Sequence, residues 1–98
     1  MSKKLSPVHP GEILREEFLT PLGLSAYKVA KDLNIPANRI TGILNEQRAI
    51  TADTAVLLGH YLGTSAEMWM NLQARYDLRI AQRAAAAGLR KLPRYIAA

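Results

Sequence analysis

The chain has no cysteine among its 98 residues. That excludes a disulfide scaffold, a thiolate metal site and a cysteine nucleophile. Its only histidines are His9 and His60, far apart and without a partner cluster, so neither a metal centre nor a His-based catalytic site is expected. No apolar run approaches the ~20 residues of a membrane-spanning helix, and the N-terminus lacks a signal-peptide core. The expectation is a cytoplasmic protein with no membrane and no cofactor. Proline and glycine are sparse, five and six residues, and no β-branched alternating run reads as a strand. What remains is 49% apolar, enough for a single domain with one small core.

Charge of one sign is also missing from most of the chain. Residues 1–74 hold seven basic and seven acidic side chains. The net charge of +5 therefore resides in residues 75–98, where Arg75, Arg79, Arg83, Arg90, Lys91 and Arg94 face Asp77 alone. The overall balance suggests a nucleic-acid partner, yet the bulk of the fold is neutral, and charge alone does not settle the matter.

Turn signals divide the chain into helices, predicting an all-α fold. "HPGEILREEFLTPLG" reads as a first helix: Pro10 suits a first helical position, and Ile13, Leu14 and Phe18 form its apolar stripe. Pro21 and Gly23 are expected to stop it. Ser25 then caps "AYKVAKDL", with Val29, Ala30 and Leu33 inward. A third helix runs from about Pro36 to Asn45, and Thr51 is expected to cap a fourth, "ADTAVLLGHYL". Thr64 with Glu67 reads as a capping box that opens a long fifth helix, on which Trp69, Leu72, Tyr76 and Ile80 follow helical spacing. The expected organisation is a lead over residues 1–8, a folded domain over 9–83 and a basic tail over 84–98, in which the alanine run allows a helical extension broken by Gly88 and Pro93.

Two short helices joined by Asn34-Ile35-Pro36, with small Ala30 at the crossing and Ile35, Ile40 and Ile43 beyond it, predict a helix-turn-helix. An ordinary helix corner in a bundle shares that pattern. The outer face of the third helix favours the first reading. With Ile40, Ile43 and Leu44 inward, Ala37, Asn38, Thr41, Gly42 and Asn45 face out, all short and none acidic. Exposed helix faces usually carry Lys, Glu, Gln and Arg, and glycine costs a helix roughly 1 kcal/mol. Short side chains let a helix lie close in a DNA major groove, where Asn can bond adenine bidentately and the Thr methyl can touch thymine. Tyr27, Lys28, Arg39 and Arg48 surround this face as candidate phosphate contacts.

"PVHPGEILREEFLTPLGLS", the helix-turn-helix, and "ITADTAVLLGHYLGTSAEMWMNLQARYDL" together resemble the HigA (VapI-like) antitoxins of bacterial type II toxin–antitoxin modules. The resemblance runs from about Pro7 to Gln82, and its first and last blocks lie outside the DNA-binding unit. It implies a five-helix, lambda-repressor-like domain with a C-terminal extension. It further implies a homodimer that binds operator DNA, represses its own operon and neutralises a HigB-type ribonuclease toxin. The family's base-reading positions fall on Ala37, Asn38, Thr41, Gly42 and Asn45, and its loop arginine on Arg48. Four positions depart from the family pattern, one of them Gln47, which stands where lysine is common. Asn34 and Glu46 stand where glycine is usual, and Pro36 stands where serine often caps. Glu46 beside DNA would repel phosphate, so it is expected to point away.

Glu12, Glu16 and Glu17 read as a solvated face, with a minority role in holding a basic toxin. Trp69, Leu72 and Tyr76 are assigned to the core and to part of a dimer contact. For the basic tail, a solubilising end, extra phosphate contacts and a toxin-binding surface all stay open. A stand-alone transcriptional regulator without a toxin is the chief alternative, and a protein-binding adaptor is a third.

Overall fold

The computed structural model describes residues 6–96. Among them are five helices and no strand. The first, α1, spans residues 10–22 and is followed by α2 (Ala26–Leu33), α3 (Ala37–Leu44), α4 (Ala52–Leu62) and α5 (Ala66–Leu89).

Helix α1 begins because His9 caps it: the imidazole Nδ1 accepts the Gly11 N–H at 2.8 Å, and Pro10 takes the first helical position. Gly11 is there for want of room. A Cβ at this position would lie 1.8 Å from the Ile43 carbonyl oxygen, so the start of α1 is pressed against the end of α3. The middle of α1, Leu14–Leu19, is π-helical, with the Thr20 N–H reaching back five residues to the Arg15 carbonyl. The wider turn lines up side chains five apart. Leu14 and Leu19 are therefore both buried, while Ile13 and Phe18 pack half-buried beside them. The expected stripe assumed α-helical spacing throughout and missed Leu19. Pro21 does not stop the helix; Gly23, at φ 67, does.

Ser25 caps α2 as expected, accepting the Lys28 N–H at 3.0 Å. The helix ends on Asn34 in the left-handed region, with the Ile35 N–H bonded to the Ala30 carbonyl and the Asn34 N–H to Lys31. This closure of the last carbonyls makes the tight turn into α3. Two other caps differ from expectation. Thr51 precedes α4 but makes no capping bond, because its hydroxyl turns to the Asp53 carboxylate. Ser65 rather than Thr64 caps α5, accepting the Met68 N–H. Thr64 instead accepts the Trp69 indole N–H at 2.8 Å, which satisfies the one polar atom of the largest core side chain.

The core joins Leu14 and Leu19 of α1, Val29 and Ala30 of α2, Ile40 and Ile43 of α3, and Ala55 and Leu58 of α4 to Ile50 and Trp69. Trp69 is fully enclosed and meets Phe18 with ring centroids 5.3 Å apart. Helix α5 continues to Leu89, past residue 83 and through the alanine run. Of its side chains only Trp69 and Gln73 are buried, and every described residue from Asp77 onward is exposed, Ile80 included. Its second half thus projects from the body and stretches the molecule to 53 × 32 × 21 Å.

Candidate nucleic-acid interface

Helix α3 is held by its inner residues: Ile40 and Ile43 are fully buried and Leu44 packs half-buried against the core. On the other side Asn38 and Asn45 are exposed and Thr41 is half-exposed. Ala37 does not stand free as expected, because it packs against the core at the first turn. The presented polar side chains are therefore Asn38, Thr41 and Asn45.

Gly42 has a different reason from the one its place in the sequence suggests. Beyond Leu44 the chain folds back over the last turn: the Glu46 N–H bonds the Ile43 carbonyl and the Gln47 N–H bonds the Gly42 carbonyl at 2.9 Å. That lays the stem of Arg48 across residue 42, where a Cβ would lie 3.2 Å from the Arg48 Cβ. The glycine makes room for the loop arginine. Its effect on DNA would act through Arg48, whose own side chain is exposed and in no ion pair among the described residues.

This closure needs a left-handed residue at position 46, and Glu46 supplies it at φ 62. Asn34 and Glu46 are the non-glycine residues at positive φ among the described residues. Both stand where the resembling family has glycine. The Glu46 carboxylate turns to Arg15 of α1, 3.7 Å from its Nη2, while Arg15 Nη1 donates to the Leu44 carbonyl. Arg15 thus ties the end of α3 to α1 and draws Glu46 aside. The hydrogen bond to Glu16 and the other nearby carboxylates hold its guanidinium above its ordinary pKa. At the far end of the loop the buried Gln73 of α5 accepts the Ile50 N–H at 2.8 Å. Arg15 and Gln73 were not singled out from the sequence. Their roles depend on partners 29 and 23 residues away, and no local pattern signals that.

The flanking cations are less free than their sequence suggests. Lys28 pairs with Asp32 one turn on at 3.2 Å. Asp32 also accepts the Tyr61 hydroxyl, which with Lys28 lowers its carboxyl pKa. Arg39 lies 3.3 Å from Asp53 at the start of α4. The Thr51 hydroxyl first, then backbone N–H groups and Arg39, lower the Asp53 pKa. Tyr27 is 70% exposed. Exposed pairs such as these are worth about 1 kcal/mol or less, so a phosphate can draw either cation away.

Of the three aromatic and apolar residues assigned to core and dimer, Trp69 belongs wholly to the core. Leu72 and Tyr76 are half-buried and line a groove between α1 and α5. Tyr76 meets the His9 ring edge-on at 4.8 Å. Among the described residues no cluster of His, Asp and Glu could hold a metal, and no helix is long and apolar enough to cross a membrane.

A family model described as Helix-turn-helix matches residues 14–69. Virulence-associated protein I of Dichelobacter nodosus is 52% identical over 79 residues, covering 81% of this chain and 73% of that protein. Antitoxin HigA-1 of Vibrio cholerae serotype O1 is 35% identical over 75 residues, covering 76% and 70%. The solved structure of Pseudomonas aeruginosa antitoxin HigA with the higBA promoter is 42% identical and superposes with a TM-score of 0.88, over 93% of this chain and 99% of that one. These proteins form a non-enzymatic helix-turn-helix class. By its residues 14–69 and by these likenesses, the chain belongs to the HigA (VapI-like) antitoxin family.

Proposed function

We propose that this protein is the antitoxin of a HigB/HigA-type module: it binds operator DNA as a homodimer, represses its own operon and neutralises a ribonuclease toxin. The observation that carries the reading is the outer side of α3. There Asn38, Thr41 and Asn45 stand clear of the core beside an exposed Arg48, in a chain similar over 93% of its length to an antitoxin solved with promoter DNA. Antitoxin GraA, 38% identical with a TM-score of 0.87, is likewise solved in complex with its operator.

The mechanism is placement. Asn38, Thr41 and Asn45 read base edges in a major groove, while Arg48, Tyr27, Lys28 and Arg39 fix the register on phosphates. Two copies related by a two-fold axis put their α3 helices in successive major grooves, about 34 Å apart. Occupying the promoter represses it, and no bond is made or broken. Base contact by Ala37 would pass through its backbone, since its methyl group packs against the core.

Two experiments test the reading. A gel shift on the promoter upstream of this gene should give a specific complex, and the absence of one would leave an adaptor. Co-expression with the short, basic reading frame expected beside the gene should rescue growth and co-purify a toxin. Promoter binding without such a partner would leave a stand-alone regulator.

A further inference from the structure

Gln73 is a polar side chain buried on α5, and both ends of its amide are engaged. Its Oε1 accepts the N–H of Ile50, itself buried, at 2.8 Å. Its Nε2 donates to the Asp77 carboxylate one turn along the helix at 2.9 Å. The second bond decides the first, because an amide whose nitrogen is held by a carboxylate must turn its carbonyl the other way. Asp77 is also the only acid in residues 75–98, among six cations. Its carboxylate is exposed and in no ion pair among the described residues. Its bond to Gln73 gives this isolated charge a use.

The segment that these bonds hold is the loop from Glu46 to Ile50. At its start the Gln47 N–H is bonded to the Gly42 carbonyl, and at its end the Ile50 N–H is bonded to Gln73. Arg48 lies between the two anchors, with its stem over Gly42 and its side chain exposed. Only Ala49 separates it from the anchored Ile50, so the second anchor limits where the guanidinium can reach.

We propose that Gln73 and Asp77 are positioning residues for the phosphate contact of Arg48. Asp77 orients the Gln73 amide, the amide fixes the end of the loop, and the fixed loop sets the reach of the arginine. Neither side chain has to meet DNA itself. The proposal rests on the operator-binding reading above and adds the residues of α5 that set one of its contacts.

Promoter affinity of the full chain over a salt series tests it. Gln73→Met keeps the side chain's length and loses both bonds. It should weaken binding about three- to tenfold, the worth of one hydrogen bond. Asp77→Ala removes the orienting acceptor from an exposed position and should weaken binding by a smaller factor. Charge alone predicts the opposite sign, since losing a negative group favours DNA. Asp77→Asn loses the charge but keeps an acceptor, so it should restore the affinity. In an Arg48→Ala background none of these changes should matter, because residues acting through one contact are not additive. Losses that persist in that background would overturn the proposal and assign both residues to folding or dimer stability. Asp77→Ala binding as tightly as wild type or more tightly would overturn the orienting role, and Gln73→Met without effect would overturn the positioning. Both results leave operator binding intact, whereas a wild-type chain that binds no promoter would overturn that reading and the proposal with it.

Discussion

At the scale of single residues, Glu46 connects strain, electrostatics and DNA binding. A left-handed backbone costs a side-chain-bearing residue roughly 1 kcal/mol or more, and its pairing with Arg15 is half-exposed and offsets that only in part. Glu46→Gly should therefore raise stability by about 0.5–1 kcal/mol in urea titration. It should also tighten promoter binding by removing a negative charge near the phosphates. Arg15→Ala should weaken promoter binding in the wild type and much less in the Glu46→Gly background, because there is then no carboxylate to restrain. Equal losses in both backgrounds would assign Arg15 to packing alone. The sequence flagged Glu46 as out of place beside DNA. It could not show the positive φ or the partner on α1, since both depend on the way the loop closes. Gly42 was legible as an anomaly but only part of its cause was: spacing placed it outward, and only the returning loop reveals Arg48 above it.

Among the elements, α1 carries a pH-sensitive cap. Burial lowers the His9 pKa below its ordinary 6.5, while Glu46 and Asp77 pull it back up, and Tyr76 closes the ring's edge. The neutral ring is the one whose Nδ1 can accept the Gly11 N–H. The folded state thus binds the proton less readily than the unfolded chain does. The cap's contribution is complete above pH 6.5 and declines as pH falls from there toward the lowered folded pKa. A urea titration series across this window should show that loss. His9→Asn, which keeps a capping acceptor and does not titrate there, should flatten it. A second element, the projecting end of α5, carries Arg90, Lys91 and Arg94 just beyond it. If these residues touch phosphate, deleting residues 90–98 should lower the log–log salt slope of promoter binding by roughly 0.9 per lost contact. Helix existence was legible because apolar period and cap residues are local. The π-helical turn and the shift of the α5 cap to Ser65 were not, since each follows from tertiary packing; the run of α5 to Leu89 follows the helical extension that the alanine run allowed.

For the whole molecule, fold and interface differ in how much the sequence disclosed. The crossing of α2 and α3 could be read from Ala30, Ile35 and Ile40, because a close helix crossing demands one small residue and apolar anchors. The cations were harder: Arg39 has its acidic partner on α4, whose placement against α3 only the fold sets, whereas the Lys28–Asp32 pair is a local spacing one turn apart on α2. The assignment of Trp69 to both core and dimer separates in the structure, with Trp69 enclosed and Leu72 and Tyr76 left at a groove. The central claim remains that α3 reads operator bases through its exposed polar side chains while Arg48 holds the backbone. Its most direct test is promoter affinity for the wild type, Asn38→Ala and Arg48→Ala, measured over a salt series and on single-base-pair operator variants. Asn38→Ala should lose about 1–3 kcal/mol and discriminate less at its own base pair. Arg48→Ala should weaken all sequences alike and reduce the salt slope by about 1 per protomer. Unimpaired binding by Asn38→Ala, or a changed base preference in Arg48→Ala, would contradict the account.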